Sequence, residues 1–364
     1  MRKMPYKLFA PAVALVCLAA WPAAAAERIV ELEIDAATLQ VTNLAGSVRI
    51  VPGAGGIILR ATVQADDAAL AEAVRLDQKD RGDTTSVTVR LPDGLDEVRY
   101  QDEQFRRLDV RLEYEGDRIR VRGDDGERLR VDLELEIPPG TRLELRQGVG
   151  DISVAGVDAD LELSLNYGHL RAADSQGALV AVTRAGDIDI KSQRGQVDAK
   201  AGSGDVRIEN MLGATVARTG SGDVSLRGVD GEMQVETGSG DLELEDVTGS
   251  VRARTGSGDV EFRDLRAGPA LDIATGSGDV DAGGDLGALR DVTIRTGSGD
   301  VMLRSTAPLS LRLSLATGSG GIKVEVPVMG DVESGRRSFK ATVGDGAGEA
   351  RINTGSGDIS IKAP

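Results

Sequence analysis

The chain has a single cysteine and a single histidine among 364 residues, and aromatics make up 2% of it. One cysteine excludes a disulfide framework, so the fold must stand on packing and backbone hydrogen bonds. Cys17 also falls within the first 26 residues, so removing them leaves no cysteine at all. Trp21, the one tryptophan, would go with it, leaving Tyr100, Phe105, Tyr114, Tyr167, Phe262 and Phe339 as the only aromatics. Sugar sites and single-strand nucleic-acid sites are commonly built on aromatic platforms, and this chain has few to offer. Excess positive charge is absent as well. The 43 basic residues face 59 acidic ones, a net charge of −16, which becomes −19 without Arg2, Lys3 and Lys7. So acidic a surface repels phosphate backbones and anionic lipid, and argues against nucleic-acid partners. Beyond the N-terminus no run is long and apolar enough to span a bilayer.

What is present begins with an export signal over residues 1–26. Arg2, Lys3 and Lys7 form its basic start, Leu8 to Trp21 its apolar core, and Ala23 to Ala26 the small residues for cleavage before Glu27. Val16 stands before Cys17 where a lipoprotein signal has a small residue, so lipidation is not expected. The hydrophobic content of 40% is that of a folded protein.

Glycine is abundant, at 47 residues, and much of it lies in a repeat. The string TGSGDV and its variants align on Asp151, His169, Asp187, Asp205, Asp223, Asp241, Asp259, Asp279, Asp300, Gly321 and Asp358. The first six intervals are 18 residues, followed by 20, 21, 21 and 37. Each unit holds two short alternating segments, such as Val224/Leu226 and Met233/Val235/Thr237, separated by glycines. Period-two alternation in runs this short predicts half-buried strands, two per unit. An even repeat keeps each apolar set on one face.

Two architectures fit, a β-solenoid and an antiparallel meander of hairpins. Matching columns, Thr219 to Thr317 and Gly213 to Gly249, favour the solenoid, where identical positions stack. The fold expected is therefore all-β: a parallel β-solenoid of about 18-residue coils over residues 148–364. Residues 27–147 form an irregular strand-rich cap, with alternation at 29–34, 57–63, 85–91, 108–114 and 129–137. Asp66 to Leu76 reads as a helix capped by Asp66 or Asp67. Gly94 to Arg107 reads as a solvated loop, and Val326 to Glu349 as a hairpin before the last coil, Thr354 to Ile361.

These features resemble the putative-adhesin β-strand-repeat family: an export signal, Leu-Glu-Ile-Pro-Pro-Gly-Thr before the first coil, then the TGSGDV units. The resemblance implies the right-handed winding and a Gram-negative envelope or secreted setting. It brings no catalytic or binding residues with it.

The aspartate column is the evident place for chemistry. Asp205, Asp223, Asp241, Asp259, Asp279 and Asp300 are weak calcium candidates, because repeat-in-toxin units use a nine-residue Gly-rich repeat and 18 is twice nine. A calcium ion takes six to eight oxygens, and one carboxylate per coil makes a poor cage. The expectation is that each Asp holds its own turn by accepting a local N–H. His169 replaces Asp without a nucleophile or metal-ligand cluster nearby, and reads as a substitution at a tolerant turn. No acid pair stands out from the repeat for glycoside chemistry. The sequence thus points to a non-enzymatic envelope protein without cofactors. Its role is structural or adhesive, and its partner is an envelope protein or glycan. A polysaccharide-acting β-helix enzyme and a periplasmic partner in envelope regulation are the alternatives.

Overall fold

The computed structural model describes residues 26–100 and 102–364. The export segment, with Cys17, lies outside the described residues except for Ala26. The chain divides into two compact units at Gly150/Asp151. Among the described residues no helix is long and apolar enough to cross a membrane.

In the first unit, Ala26–Ile34 pairs antiparallel with Ile57–Ala65, which pairs antiparallel with Glu127–Ile137. Val48–Pro52 lies parallel along the far side of that strand. Thr38–Ala45 is flanked in parallel by Thr141–Val149 and Thr84–Arg90, and Arg75–Arg81 adds an antiparallel edge. Alternation decides what is buried: Leu39, Val41, Leu59, Leu133, Leu135, Leu143 and Leu145 form the core. Two buried amides tie strands together. Asn43 Nδ2 donates to the Val131 carbonyl at 2.8 Å, and Gln147 Nε2 to that of Gly46 at 2.7 Å.

Two expectations for this unit need correction. The helix is shorter than Asp66 to Leu76, covering only Ala68–Ala73. Asp67 caps it by accepting from the Leu70 N–H at 2.8 Å, and the residues from Arg75 onward join the sheet instead. Nor is Gly94 to Arg107 simply a solvated loop. It contains the strand Glu97–Arg99 and a 3-10 turn, and Tyr100 is only 1% exposed. The Arg130 guanidinium sits over the Tyr100 ring, 5.4 Å from its centroid, and Phe105 packs against the same ring at 5.3 Å. A strand and an aromatic anchor thus order a segment whose composition looks solvated.

The second unit is a stack of coils in two sheets. In the first sheet, segments beginning at Ile152, Leu170, Ile188, Val206, Val224, Leu242 and Val260 pair in parallel, each with the next. In the second, Leu179–Ala185, Val197–Ser203, Thr215–Thr219, Met233–Thr237 and Thr248–Thr255 do the same. Like therefore stacks on like: Val206 lies beside Val224, and Thr219 beside Thr237. Among the described residues of this unit, antiparallel pairing is confined to the strands at 311–343, which excludes the meander. Val251, Ala253 and Thr255 are buried, while Arg252 and Arg254 face solvent.

The coil order at the far end differs from the chain order. Asp291–Thr296 and Val301–Ser305 pair with Gly348–Thr354 and Ile359–Lys362, not with the coil that follows them in sequence. Leu311–Thr317 and Ile322–Glu325 lie on the other side of the returning strands. The chain thus skips one place, forms the hairpin Val328–Ser334 and Ser338–Val343, and returns to fill the gap. The last coil is last in sequence and second to last in space. Any TGSGD coil can pair with any other, so composition does not fix the order.

Candidate functional site

The corner carrying Thr-Gly-Ser-Gly-Asp is the most regular part of the second unit, and each of its polar groups has an assignable role. The threonine comes at the end of a second-sheet strand, buried to within 7% exposure in every coil from Thr219 to Thr354. Its hydroxyl donates to a glycine carbonyl of the adjoining coil, as Thr237 does to Gly222 and Thr255 to Gly240, at 2.7–3.0 Å along the column. The same oxygen accepts the N–H of the glycine three residues on, at 2.9–3.2 Å. One hydroxyl therefore closes the turn within its coil and ties it to the next, which satisfies a buried polar group.

The aspartates do something other than hold their own turns. Each Oδ1 accepts the backbone N–H of the Asp in the neighbouring coil: Asp223 from Asp241, Asp241 from Asp259, Asp259 from Asp279 and Asp279 from Asp300. The ladder runs from Asp151 to Asp358, with distances of 2.6–3.1 Å. At the end Asp300 accepts from Asp358, and Asp358 from Gly321, so the returning coil is stitched in on both sides. The expected local bond is in fact a bond between coils, because parallel stacking brings the next N–H closer than any in the same turn. Asp205, Asp223, Asp241, Asp259, Asp279 and Asp300 all belong to this one ladder. Among the described residues no group of three or more His, Cys, Asp or Glu is disposed around a common metal position.

His169 takes its place in the same ladder. Its N–H donates to Asp151 Oδ1 at 2.9 Å, and its Nδ1 accepts from the Asp187 N–H at 3.1 Å. The Asp187 carboxylate also lies close, with its Oδ2 3.5 Å from Nδ1. The imidazole nitrogen does here what a carboxylate oxygen does elsewhere.

The glycines set the spacing. A Cβ at Gly240 would stand 1.9 Å from the Gly222 carbonyl oxygen, and one at Gly258 1.8 Å from that of Gly240. Beside the corner, Gly202, Gly220 and Gly238 floor an open groove of about 370 Å³ walled by Lys200, Arg218 and Glu236. Arg218 bridges Asp198 at 3.6 Å and Glu236 at 3.3 Å. A hydrogen bond from Gln234, then the nearby Arg218, hold the Glu236 carboxyl below the usual carboxylate range. That stabilisation is complete above the ordinary Glu range and is lost as pH falls through the lowered value.

Opposite charges on successive coils also line the two outer faces. Lys191 meets Glu209 at 3.3 Å, Arg263 meets Glu243 at 2.7 Å, Arg252 meets Asp272 at 3.1 Å and Arg304 meets Asp281 at 2.7 Å. Exposed pairs such as these contribute about 0–1 kcal/mol each. They offset like charges that the register does set opposite one another, as Glu243 stands beside Glu261 and Glu261 beside Asp281.

A parallel stack of repeated coils, with its turn groups bonded from coil to coil and its charges on the outer faces, defines a parallel β-repeat protein. The chain belongs to the Toastrack DUF4097 family, whose model matches residues 80–228 and 212–362, in line with the uncharacterised adhesin-like family that the sequence resembles. No curated protein matches it. Among solved structures it is similar to a "putative cell adhesion protein" from Clostridium sporogenes, at 11% identity over 93% of this chain and 100% of that one, with a TM-score of 0.23. A "putative lipid binding protein" from Parabacteroides distasonis is 12% identical over 70% and 95%, with a TM-score of 0.39. A "putative adhesin" from Bacteroides fragilis is 10% identical over 69% and 95%, with a TM-score of 0.34. Likeness at this level carries nothing about what the present chain binds.

Proposed function

We propose that this chain is an exported, non-enzymatic β-solenoid with a structural or adhesive role at the bacterial envelope, where it binds an envelope protein or glycan. One observation carries the reading. The polar groups of the repeat, the Thr hydroxyls and Asp carboxylates, are engaged between coils, which leaves the flat, ion-paired outer faces as the surfaces available to a partner. The basic start and alanine run of residues 1–26 support export with cleavage before Glu27 and no lipid on Cys17. A right-handed winding of 18-residue coils, a repeat domain over 148–364 and a cap region over 27–147 belong to the same reading. So does an Asp ladder that needs no calcium, since each carboxylate already has an N–H donor.

The test is to fractionate cells, sequence the mature N-terminus by mass spectrometry, and place photo-cross-linkers at Glu243 and Arg254 on the two outer faces. Release from the periplasm or surface with an N-terminus near Glu27, and a cross-linked envelope protein or glycan, is the expected result. A cytoplasmic protein that keeps residues 1–26, or a lipidated Cys17, would refute it. For the ladder, melting with excess chelator and with millimolar calcium should give the same midpoint. A midpoint that climbs with calcium would make this a metal-loaded repeat.

A further inference from the structure

The two sheets of the repeat unit end out of step. The first stops at Ile322–Glu325, which pairs on one side with Ile359–Lys362 and, among the described residues, presents a free edge on the other. The second continues past Leu311–Thr317 by two more strands, first Ser338–Val343 and then Val328–Ser334. One layer therefore overhangs the other by two strands.

The outermost strand exposes apolar side chains beside its Asp331 and Glu333. Val328, Met329 and Val332 are 41%, 61% and 43% exposed, and all three lie on the outermost strand. Ile322 and Val324 are only half-buried, whereas Val301 and Leu303, at the matching positions of an inner coil, are 1–2% exposed. Free edges with exposed apolar side chains are sites of strand addition. Charge does not oppose contact at this place. Residues 322–343 hold Lys323, Arg336, Arg337 and Lys340 against Glu325, Asp331 and Glu333, a balance of +1 in a chain of −16. Two near-neutral ends do not repel one another as the acidic chain does on the whole.

The geometry points to a second copy of this chain as the occupant, docked end to end about a two-fold axis that runs along the strands. That operation exchanges the two layers. The two-strand overhang of each copy then fills the two-strand shortfall of its partner, and neither collides with the other. The Ile322–Glu325 edge of one copy meets the Val328–Ser334 edge of the other, and the reverse, so the interface is isologous and closed. Strands in the two layers run in opposite directions, and the hairpin reverses twice, so both new pairings are antiparallel. The Lys323–Glu325 pair, 2.7 Å apart, on one edge faces Asp331 and the Lys340–Glu333 pair, 3.1 Å apart, on the other, and the half-exposed Ile322, Val324 and Phe339 are covered.

Sedimentation velocity on the full chain across a micromolar to submillimolar range tests this directly. A dimer is expected, and Val328→Asp with Val332→Asp should raise its dissociation constant by well over tenfold, about 1.4 kcal/mol or more. Both side chains are exposed in the single copy, so circular dichroism and melting should be unchanged. In a Cys17→Ser background, Lys323→Cys chains mixed with Glu333→Cys chains should form a disulfide-linked heterodimer under mild oxidation. A monomer at every concentration would overturn the proposal, as would a dimer indifferent to the two Asp substitutions. Preferential linkage of Lys323→Cys to itself would overturn the two-fold arrangement, because it would mean that like edges meet.

Discussion

Replacing Asp241 separates the two opposing energies of the ladder. Asp241 Oδ1 accepts the Asp259 N–H at 2.8 Å, while its own N–H donates to Asp223 at 2.9 Å. A hydrogen bond to a charged acceptor contributes about 1.5–3 kcal/mol, and one to a neutral amide oxygen about 0.5–1.5. Against this stand two like charges one coil away on either side. At the inter-strand spacing of roughly 4.8 Å each repels by about 0.9 kcal/mol in bulk water, and by more in a lower dielectric. Asp241→Ala loses the bond and relieves both repulsions, so it should destabilise by about 0–1 kcal/mol. Asp241→Asn keeps an acceptor and relieves the same repulsions. It should lie about 1 kcal/mol above the alanine variant and match or exceed the wild type. Salt supplies the control: near 1 M the Debye length falls to about 3 Å, the repulsion is screened, and the wild type should regain its lead over Asn. Urea unfolding of the three proteins at low and high salt reads all of this. An asparagine variant less stable than the alanine one at low salt, or a wild type indifferent to salt, would refute the reasoning.

Three further predictions use the same assay. Val251→Asp buries an unpaired charge among Met233 and Leu271 and should cost several kcal/mol, whereas the exposed Arg252→Asp should cost about 1, through loss of its Asp272 partner; equal midpoints would mean that the register is wrong. Gly258→Ala places a Cβ 1.8 Å from the Gly240 oxygen in a stacked backbone that cannot give way, so about 3 kcal/mol should be lost, against near neutrality for the exposed Ser257→Ala. His169→Asp restores the carboxylate of the ladder and should hold or raise the melting point, while His169→Ala should lower stability by about 1 kcal/mol through loss of the Asp187 bond; an Asp variant weaker than the Ala variant would show that the histidine does more than stand in.

Much of the second unit was legible because a parallel stack repeats its environment. The same corner recurs, so Thr, Gly and Asp recur, and alternation within Val224/Leu226 or Met233/Val235 marks the buried face. What the sequence hid is what depends on neighbours in space. That Asp241 bonds to Asp259 and not within its own turn follows only from the register of the sheet. A left-handed column at Asp174, Ser192, Asn210, Gly228, Asp246 and Asp264 is equally periodic, with φ of 50–63°, yet four different residue types disguise it. Asp, Asn and Gly are the types that tolerate that backbone, and their spacing of 18 was the available clue. Tyr100 was hidden for the opposite reason: the charges of residues 96–107 suggest solvent, and the Arg130 guanidinium that covers the ring lies in a distant strand.

The displaced final coil ties these points together. Along most of the stack the ladder bonds join residues 18 apart, which are local enough to form as each coil is laid on the last. Asp358 to Asp300 spans 58 residues, and Thr354 to Gly299 spans 55. The interval of 37 before Asp358 is the trace of this detour in the sequence. Contacts of long sequence separation form late because the loop must close first. The coil at 311–325 has no ladder partner until residues 348–362 arrive between it and the rest, so the order of the last two coils is settled only when the chain end docks. The hairpin that makes the detour possible is the same one that overhangs the first sheet. Returning the chain into the stack and leaving two strands beyond it are one topological event, and the free edges at that end are its consequence.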